Sequence, residues 1–214
     1  MELHVAILGA LGVLLIGTMS PGPSFVLVAR ISIGESRSHG LAAAFGMGVG
    51  SAAFCGLVLL GLHALLTTVE WLHLALRVAG GLYLLFIAWQ MWKGATKPVP
   101  VSAGADPGSV RGRSLAKSFG LALGTQVSNP KTALFYGSIF AALLPVGLPL
   151  WVSLALPMLV LLMETAWYGL VALLFSATGP RSVYLRAKTL LDRTAAGIVG
   201  LLGLRLLLDA ARAR

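Results

Sequence analysis

Ser20-Pro21-Gly22-Pro23-Ser24 interrupts an apolar run that begins at Leu3 and continues through Phe25 to Ala29. Each proline removes a backbone donor and clashes with the carbonyl four residues back, at about 3 kcal/mol or more, and the glycine adds backbone freedom. In hydrocarbon the freed carbonyls have no solvent partner, so protein, water or a ligand must supply one. A second interruption, Ser128-Asn129-Pro130-Lys131-Thr132, falls in the fourth apolar segment. Paired breaks at matching places in two halves of a membrane protein are the best sequence pointer to a transport site. The bland alternative is a pair of proline kinks with no solute role.

Composition places the chain in a membrane. Of its 214 residues, 57% are hydrophobic and only 11% charged, and the mean hydropathy is +0.90, too apolar for a soluble domain of this length. The net charge of +9 could suggest nucleic acid, but the basic residues are scattered over short connections, so no nucleic-acid partner is expected. Cys55 stands alone inside an apolar segment. It offers neither a disulfide framework nor metal-ligand spacing and reads as a packing residue. No cofactor or metal is expected.

Six apolar segments follow one another: Leu3 to about Ala29, Gly40 to Leu66, Trp71 to Trp92, Leu115 to Leu144, Trp151 to Phe175 and Thr194 to Ala211. At about 1.5 Å per residue each crosses a hydrocarbon core of about 30 Å, or nearly so. The first lacks a basic leading region and is followed by further spans, so it reads as retained rather than as a secretory signal. Trp71, Trp89 and Trp92 sit near segment ends, where amphipathic rings favour the interface. Residues 94–114, with Pro98, Pro100, Gly104, Pro107 and Gly108, read as a flexible cytoplasmic linker. It separates a first three-helix repeat, residues 1–93, from a second, residues 115–214.

Lys and Arg alternate between the connections. The first carries Arg30 and Arg37, the third Lys93, Lys97, Arg111, Arg113 and Lys117, and the fifth Arg181, Arg186, Lys188 and Arg193. The second, Thr67 to Glu70, and the fourth, Pro145 to Leu150, carry none. By the positive-inside rule the odd connections are cytoplasmic and both termini lie outside; Arg212 and Arg214 pull mildly the other way. Three spans per half make the halves enter the membrane from opposite sides. The expected fold is therefore an all-α integral membrane protein of six transmembrane helices, built as two inverted three-helix repeats with broken first and fourth helices. The breaks then face one another near mid-depth. Half-helix ends there suit a zwitterion, because amide-rich ends attract a carboxylate and carbonyl-rich ends an ammonium.

With these residues in hand, the chain resembles the lysine exporter (LysE/RhtB) family of amino-acid efflux permeases, which carry a Pro-Gly-Pro element in the first span and Asn-Pro-Lys in the fourth. The likeness covers nearly the whole length. It takes in Ser20-Pro21-Gly22-Pro23, Arg30 and Gly40, the glycines Gly46, Gly48 and Gly50, Asn129-Pro130-Lys131 with Leu134-Phe135, and the pattern Arg193, Gly197, Gly203. Where the family often has Asn or Asp after Pro-Gly-Pro, this chain has Ser24. The resemblance implies proton-coupled export of amino acids or related small metabolites across the bacterial inner membrane by alternating access, with membrane lipids around it and a homodimer as the assembly to look for.

The candidate solute-binding residues are Pro21, Gly22, Pro23, Ser24, Ser128, Asn129, Pro130 and Lys131. Asn129, Ser24 and Ser128 can equally satisfy the breaks' own backbone. Glu164 lies mid-span, where an unpaired charge costs several kcal/mol. With Lys131 it forms the candidate proton-coupling pair, against the alternative of a purely structural ion pair. Arg205 and Asp209 read as a local outer pair, Glu70, His73 and Arg77 as an outer rim cluster, and His63 as a packed or interfacial residue. Gly46, Gly48, Gly50, Gly80 and Gly81 read as sites of close helix packing. A passive channel would use similar broken helices. A membrane-embedded enzyme fits poorly, because no nucleophile-base pair, His-Glu-x-x-His helix or carboxylate pair lies at membrane depth.

Overall fold

Helices account for the regular structure of the computed structural model, which describes residues 2–66, 70–99, 114–145 and 147–212. Among the described residues they are α1 (Glu2–Met19), α2 (Pro23–Gly34), α3 (Arg37–Leu66), α4 (Glu70–Gly94), α5 (Leu115–Val127), α6 (Pro130–Leu143), α7 (Leu150–Phe175) and α8 (Thr178–Arg212). The expected second connection at 67–69, the linker features at Pro100, Gly104, Pro107, Gly108, Arg111 and Arg113, and Arg214 lie outside the described residues. So do the side chains of His63, Glu70, Trp71, His73, Arg77 and Arg181.

Both expected breaks are true interruptions. Gly22 caps α2 with extended backbone (φ −131°, ψ −170°) and Pro23 takes the first helical turn, where its missing N–H costs nothing. The α1–α2 pair bends by 57° there. At the second break Asn129 caps α6, its side chain accepting from the Lys131 N–H at 3.0 Å, and Pro130 again opens the helix. Pro157 sits inside α7, which nonetheless runs unbroken from Leu150 to Phe175. An isolated proline is absorbed, whereas proline beside a cap residue ends one helix and starts another.

Among the described residues, three helices are long and apolar enough to cross a membrane alone, over Arg37–Gly61, Leu150–Phe175 and Ser182–Arg212; the bent α1–α2 pair, taken as one span, makes a fourth. Large apolar side chains such as Leu8, Leu60, Leu154 and Leu201 are exposed, as a lipid-facing surface requires. Trp89 and Trp92 are exposed near the end of α4. The Lys93 ammonium lies 4.0 Å from the Trp89 ring and the Arg193 guanidinium 5.4 Å from the Trp92 ring, an arrangement suited to a membrane interface.

Two elements differ from the sequence expectation. The first apolar segment continues as helix to Gly34, beyond Ala29. The last helix begins at Thr178 rather than Thr194, so the expected fifth connection is helical. Its basic residues do not oppose this, because Lys188 is neutralised by Asp192 one turn on, at 2.8 Å. The same ammonium donates to the Gly94 and Ala95 carbonyls, each at 3.0 Å. All three of its protons are thus used, and it caps the C-terminal end of α4.

Close packing rests on small residues. A Cβ at Gly46 would strike the Phe119 carbonyl of α5, and one at Gly48 would strike Thr165 of α7. On α4 and α8, Gly81 and Gly203 face each other reciprocally: a Cβ on either would lie 3.1 Å or 2.9 Å from the other's carbonyl oxygen. These contacts fit the close-packing role expected of Gly46, Gly48 and Gly81.

The buried side chains form two apolar clusters. One gathers Leu14, Cys55, Tyr136, Ile139 and Val160; the other gathers Phe25, Met47, Ala122, Tyr168 and Phe175. The chain passes from one to the other between Leu14 and Phe25, between Met47 and Cys55, between Ala122 and Phe135, and between Val160 and Tyr168. Buried polar groups occupy those gaps: Ser20, Ser24, Ser51, Gln126, Asn129, Thr132 and Glu164. A polar layer therefore divides the core at the level of both breaks.

Removing Lys188 alone strands Asp192 and the Gly94 carbonyl, while the Ala95 carbonyl keeps the Thr189 hydroxyl at 3.1 Å. Lys188→Met should lower stability by about 3 kcal/mol, read as an earlier thermal unfolding transition in detergent. Lys188→Met combined with Asp192→Leu should lose less than the single change.

Candidate functional site

The polar layer is built by residues on both sides of each break. Ser24, second in α2, donates to the Gln126 Oε1 at 2.5 Å, and the Gln126 Nε2 donates to the Ser51 Oγ of α3 at 2.7 Å. Asn129 donates from Nδ2 to the Ser24 Oγ at 3.3 Å while its Oδ1 caps α6. The first break is thus hydrogen-bonded directly to the second. Asn129 performs the backbone-satisfying role open to it, with one amide serving both functions.

Glu164 sits at the centre of the layer, 1% exposed. Its Oε1 contacts the Thr18 hydroxyl at 2.8 Å and accepts from the Tyr136 hydroxyl at 3.1 Å. Among the described residues its Oε2 has no partner within hydrogen-bond geometry, and the Ser51 hydroxyl of α3 lies beside the carboxyl. Among the described residues no ion pair joins Glu164 to Lys131; the ion pairs of Lys188 with Asp192, Glu35 with His39 and Arg205 with Asp209 lie elsewhere. Glu164 and Lys131 do line the same small cavity.

Two cavities meet at the breaks. An inner one of about 40 Å³ is lined by Thr18, Ser24, Asn129, Lys131, Tyr136 and Glu164, among others. It has room for about one water and is too small for a solute. A larger vestibule of about 410 Å³ is bordered by Pro21, Gln90, Lys97, Lys188 and Asp192. Ser20, Gly22, Pro23 and Lys131 line both. The vestibule is large enough for a small metabolite.

Of the expected solute-binding residues, Pro21, Gly22, Pro23, Ser24, Asn129 and Lys131 come together at these cavities. Ser128 and Pro130 are exposed and border neither cavity described here: Ser128 ends α5 and Pro130 begins α6, so they shape the break from its outer side. The Lys131 ammonium reaches back to the first break, where a Cβ on Gly22 would lie 3.8 Å from it. No side chain caps the α2 N-terminus at Gly22. A helix N-terminus and an ammonium thus converge on one spot, a combination that favours an anion.

Thr18, Ser51, Gln126 and Asp192 belong to the site although they lie outside both interruptions. Thr18 and Gln126 each stand two residues before a break, and an uncharged polar side chain inside a span is itself a signal. Arg205 and Asp209 form the expected local pair at 3.8 Å, both well exposed.

Residues 15–210 match the family described as LysE type translocator. The chain belongs to that family. The translocator is 31% identical over 195 residues to the threonine efflux protein of Escherichia coli (strain K12), covering 91% of this chain and 94% of that protein. It is 30% identical over 218 residues to the uncharacterized membrane protein YahN of the same strain, covering 99% and 93%. The leucine efflux protein of Enterobacter sp. (strain 638) is 31% identical over 185 residues, covering 85% and 83%. No solved structure gives a significant match. The translocator is accordingly a bacterial membrane protein of an amino-acid efflux family.

Gln126 bridges Ser24 and Ser51, so its loss removes the acceptor of the Ser24 hydroxyl proton and the donor to the Ser51 hydroxyl. Gln126→Leu should destabilise the protein by about 1–3 kcal/mol, measured by thermal unfolding, whereas Ser128→Ala should leave the transition within about 0.5 kcal/mol of wild type.

Proposed function

We propose that this translocator is a proton-coupled exporter of small amino acids across the bacterial inner membrane, working by alternating access. The observation that carries this reading is the convergence of both breaks on one buried polar layer, with a carboxyl group and an ammonium lining the same cavity.

The proposed membrane topology has six spans: the bent α1–α2 pair, α3, α4, the interrupted α5–α6 pair, α7 and α8. Each half offers a broken helix followed by two long ones. Support for an inverted repeat comes from the packing of α3 on α7 and of α4 on α8, so that counterparts lie against each other across the two halves. With the odd connections cytoplasmic, the vestibule beside Lys97, Pro98 and Lys188 opens to the cytoplasm, as loading for export requires.

Solute enters the vestibule, where the Lys188–Asp192 pair is neutral overall and Lys97 and Lys131 leave a positive field. The solute carboxylate is drawn to Lys131 and to the open N-terminus of α2. The inner cavity is too small to receive it as it stands, so passage requires the two halves to rock apart at the breaks. Glu164 carries the coupling proton. The carboxyl group is buried and held by hydroxyls alone, so its charge state is the quantity that a proton gradient can change without breaking an ion pair.

Threonine and leucine efflux relatives make small neutral amino acids the first solutes to test. In proteoliposomes, wild type should give saturable counterflow of such an amino acid. Lys131→Met should weaken apparent affinity about 30-fold or more, the loss expected for removing one partner of a buried charge contact. Glu164→Gln should retain counterflow but lose proton-driven net efflux by about tenfold, equivalent to roughly 1.4 kcal/mol. Conductance without saturation, or Glu164→Gln efflux equal to wild type, refutes the coupled-carrier reading.

A further inference from the structure

The Thr18 hydroxyl has more acceptors than protons. It lies 2.8 Å from the Leu14 carbonyl in its own helix and 2.8 Å from the Glu164 Oε1 of α7. A hydroxyl donates one proton, so it cannot donate to both. When Glu164 is ionised, the carboxylate can only accept, and Thr18 must turn its proton to Oε1. When Glu164 carries a proton on Oε1, that proton is donated to the Thr18 Oγ, and Thr18 turns its own proton to the Leu14 carbonyl. Tyr136 can donate to Oε1 in either state. A proton on Oε2 instead meets no acceptor within hydrogen-bond geometry among the described residues; Oε1 is the favoured site by one hydrogen bond.

We infer that Thr18 is a positioning residue that reads the protonation of Glu164 and transmits it to the first break. Thr18 is the penultimate residue of α1, directly before the interruption at Ser20. In the ionised state its hydrogen bond to Glu164 is charge-assisted and fastens the end of α1 to α7. In the protonated state the bond across the helices is neutral and weaker, and the hydroxyl returns to its own helix. Proton binding therefore slackens the tie between α7 and the hinge on which α2 turns. This role deepens the proposed coupling at Glu164 and rests on it.

The other groups around the carboxyl leave this switch to Thr18. Lys131 of α6 lines the same cavity without an ion pair to Glu164 among the described residues. From α7 itself Tyr168 lines the cavity, and from α3 the Ser51 hydroxyl, which accepts from Gln126, lies beside the carboxyl; Thr18→Val leaves both in place. Asp192 of α8 is held by Lys188 and borders the vestibule rather than the inner cavity. Of the two hydroxyls on Oε1, Thr18 is the closer and the one with a second acceptor, the Leu14 carbonyl, to which its proton can turn when Oε1 is protonated.

The test titrates Glu164 in membranes by infrared difference spectroscopy, using the protonated-carboxyl band that Glu164→Gln removes. Thr18→Val keeps the shape and removes the donor to the ionised carboxyl. Its band midpoint, and the pH midpoint of proton-driven efflux with it, should move to higher pH by about one unit, the size of one hydrogen bond to a charged group. Thr18→Ser restores the hydroxyl and should restore the wild-type midpoint. An unchanged midpoint in Thr18→Val overturns the assignment, as does a Glu164 band that does not titrate between about pH 4 and pH 9. A band that moves while efflux shows no pH dependence upholds the Thr18 contact and refutes coupling through Glu164, so the two readings fail separately.

Discussion

An interrupted helix at membrane depth must satisfy its freed backbone and its polar side chains inside the protein, since hydrocarbon provides no partner. This chain has two such interruptions, and each is completed by the other. Ser24 at the first break bonds Gln126 beside the second, and Asn129 both caps α6 and reaches across to Ser24. Either break alone would leave unsatisfied groups. Together they form a layer in which most polar atoms are paired, and the two halves of the protein are held in register by it.

The division of the core follows. An unbroken apolar interior would resist any separation of the halves, because each buried methylene contributes about 0.8 kcal/mol. Here two apolar clusters lie on either side of a polar sheet of hydroxyls and amides. Such bonds can be exchanged for bonds to solute or water at small net cost. The apolar clusters give the protein its stability, and the layer between them is where the proposed alternating access would part it. Gly46 and Gly48 permit the backbone of α3 to approach both α5 and α7 at this level, which keeps the layer thin enough for short side chains to bridge it.

Much of this was legible in the residues. The all-helical apolar character, both interruptions and the small-residue packing sites are local patterns, and proline next to a cap residue carries its own geometry. The membership of Lys131 and Asn129 at a common site also followed from the breaks facing each other. What was not legible depended on neighbours distant in sequence. The run from Arg181 to Arg193 reads as a polar connection until Lys188 is seen to be neutralised by Asp192 and seated on the end of α4. Glu164 reads as a partner for the nearest cation in the pattern, Lys131, whereas its hydrogen bonds go to Thr18 and Tyr136. Pro157 shows the converse: by its residue type it resembles a break, yet α7 absorbs it.

The seating of Lys188 bears on how the molecule moves. With every ammonium proton committed, two of them to the last carbonyls of α4, the lower parts of α4 and α8 are riveted into one rigid strut. The vestibule is walled on that side by this strut and on the other by the short helical pieces flanking the breaks. A wall that cannot yield transfers all displacement to the one that can. In the proposed transport cycle the moving jaw is then α2 with its proline hinge, and the α4–α8 strut is the anvil against which it would close.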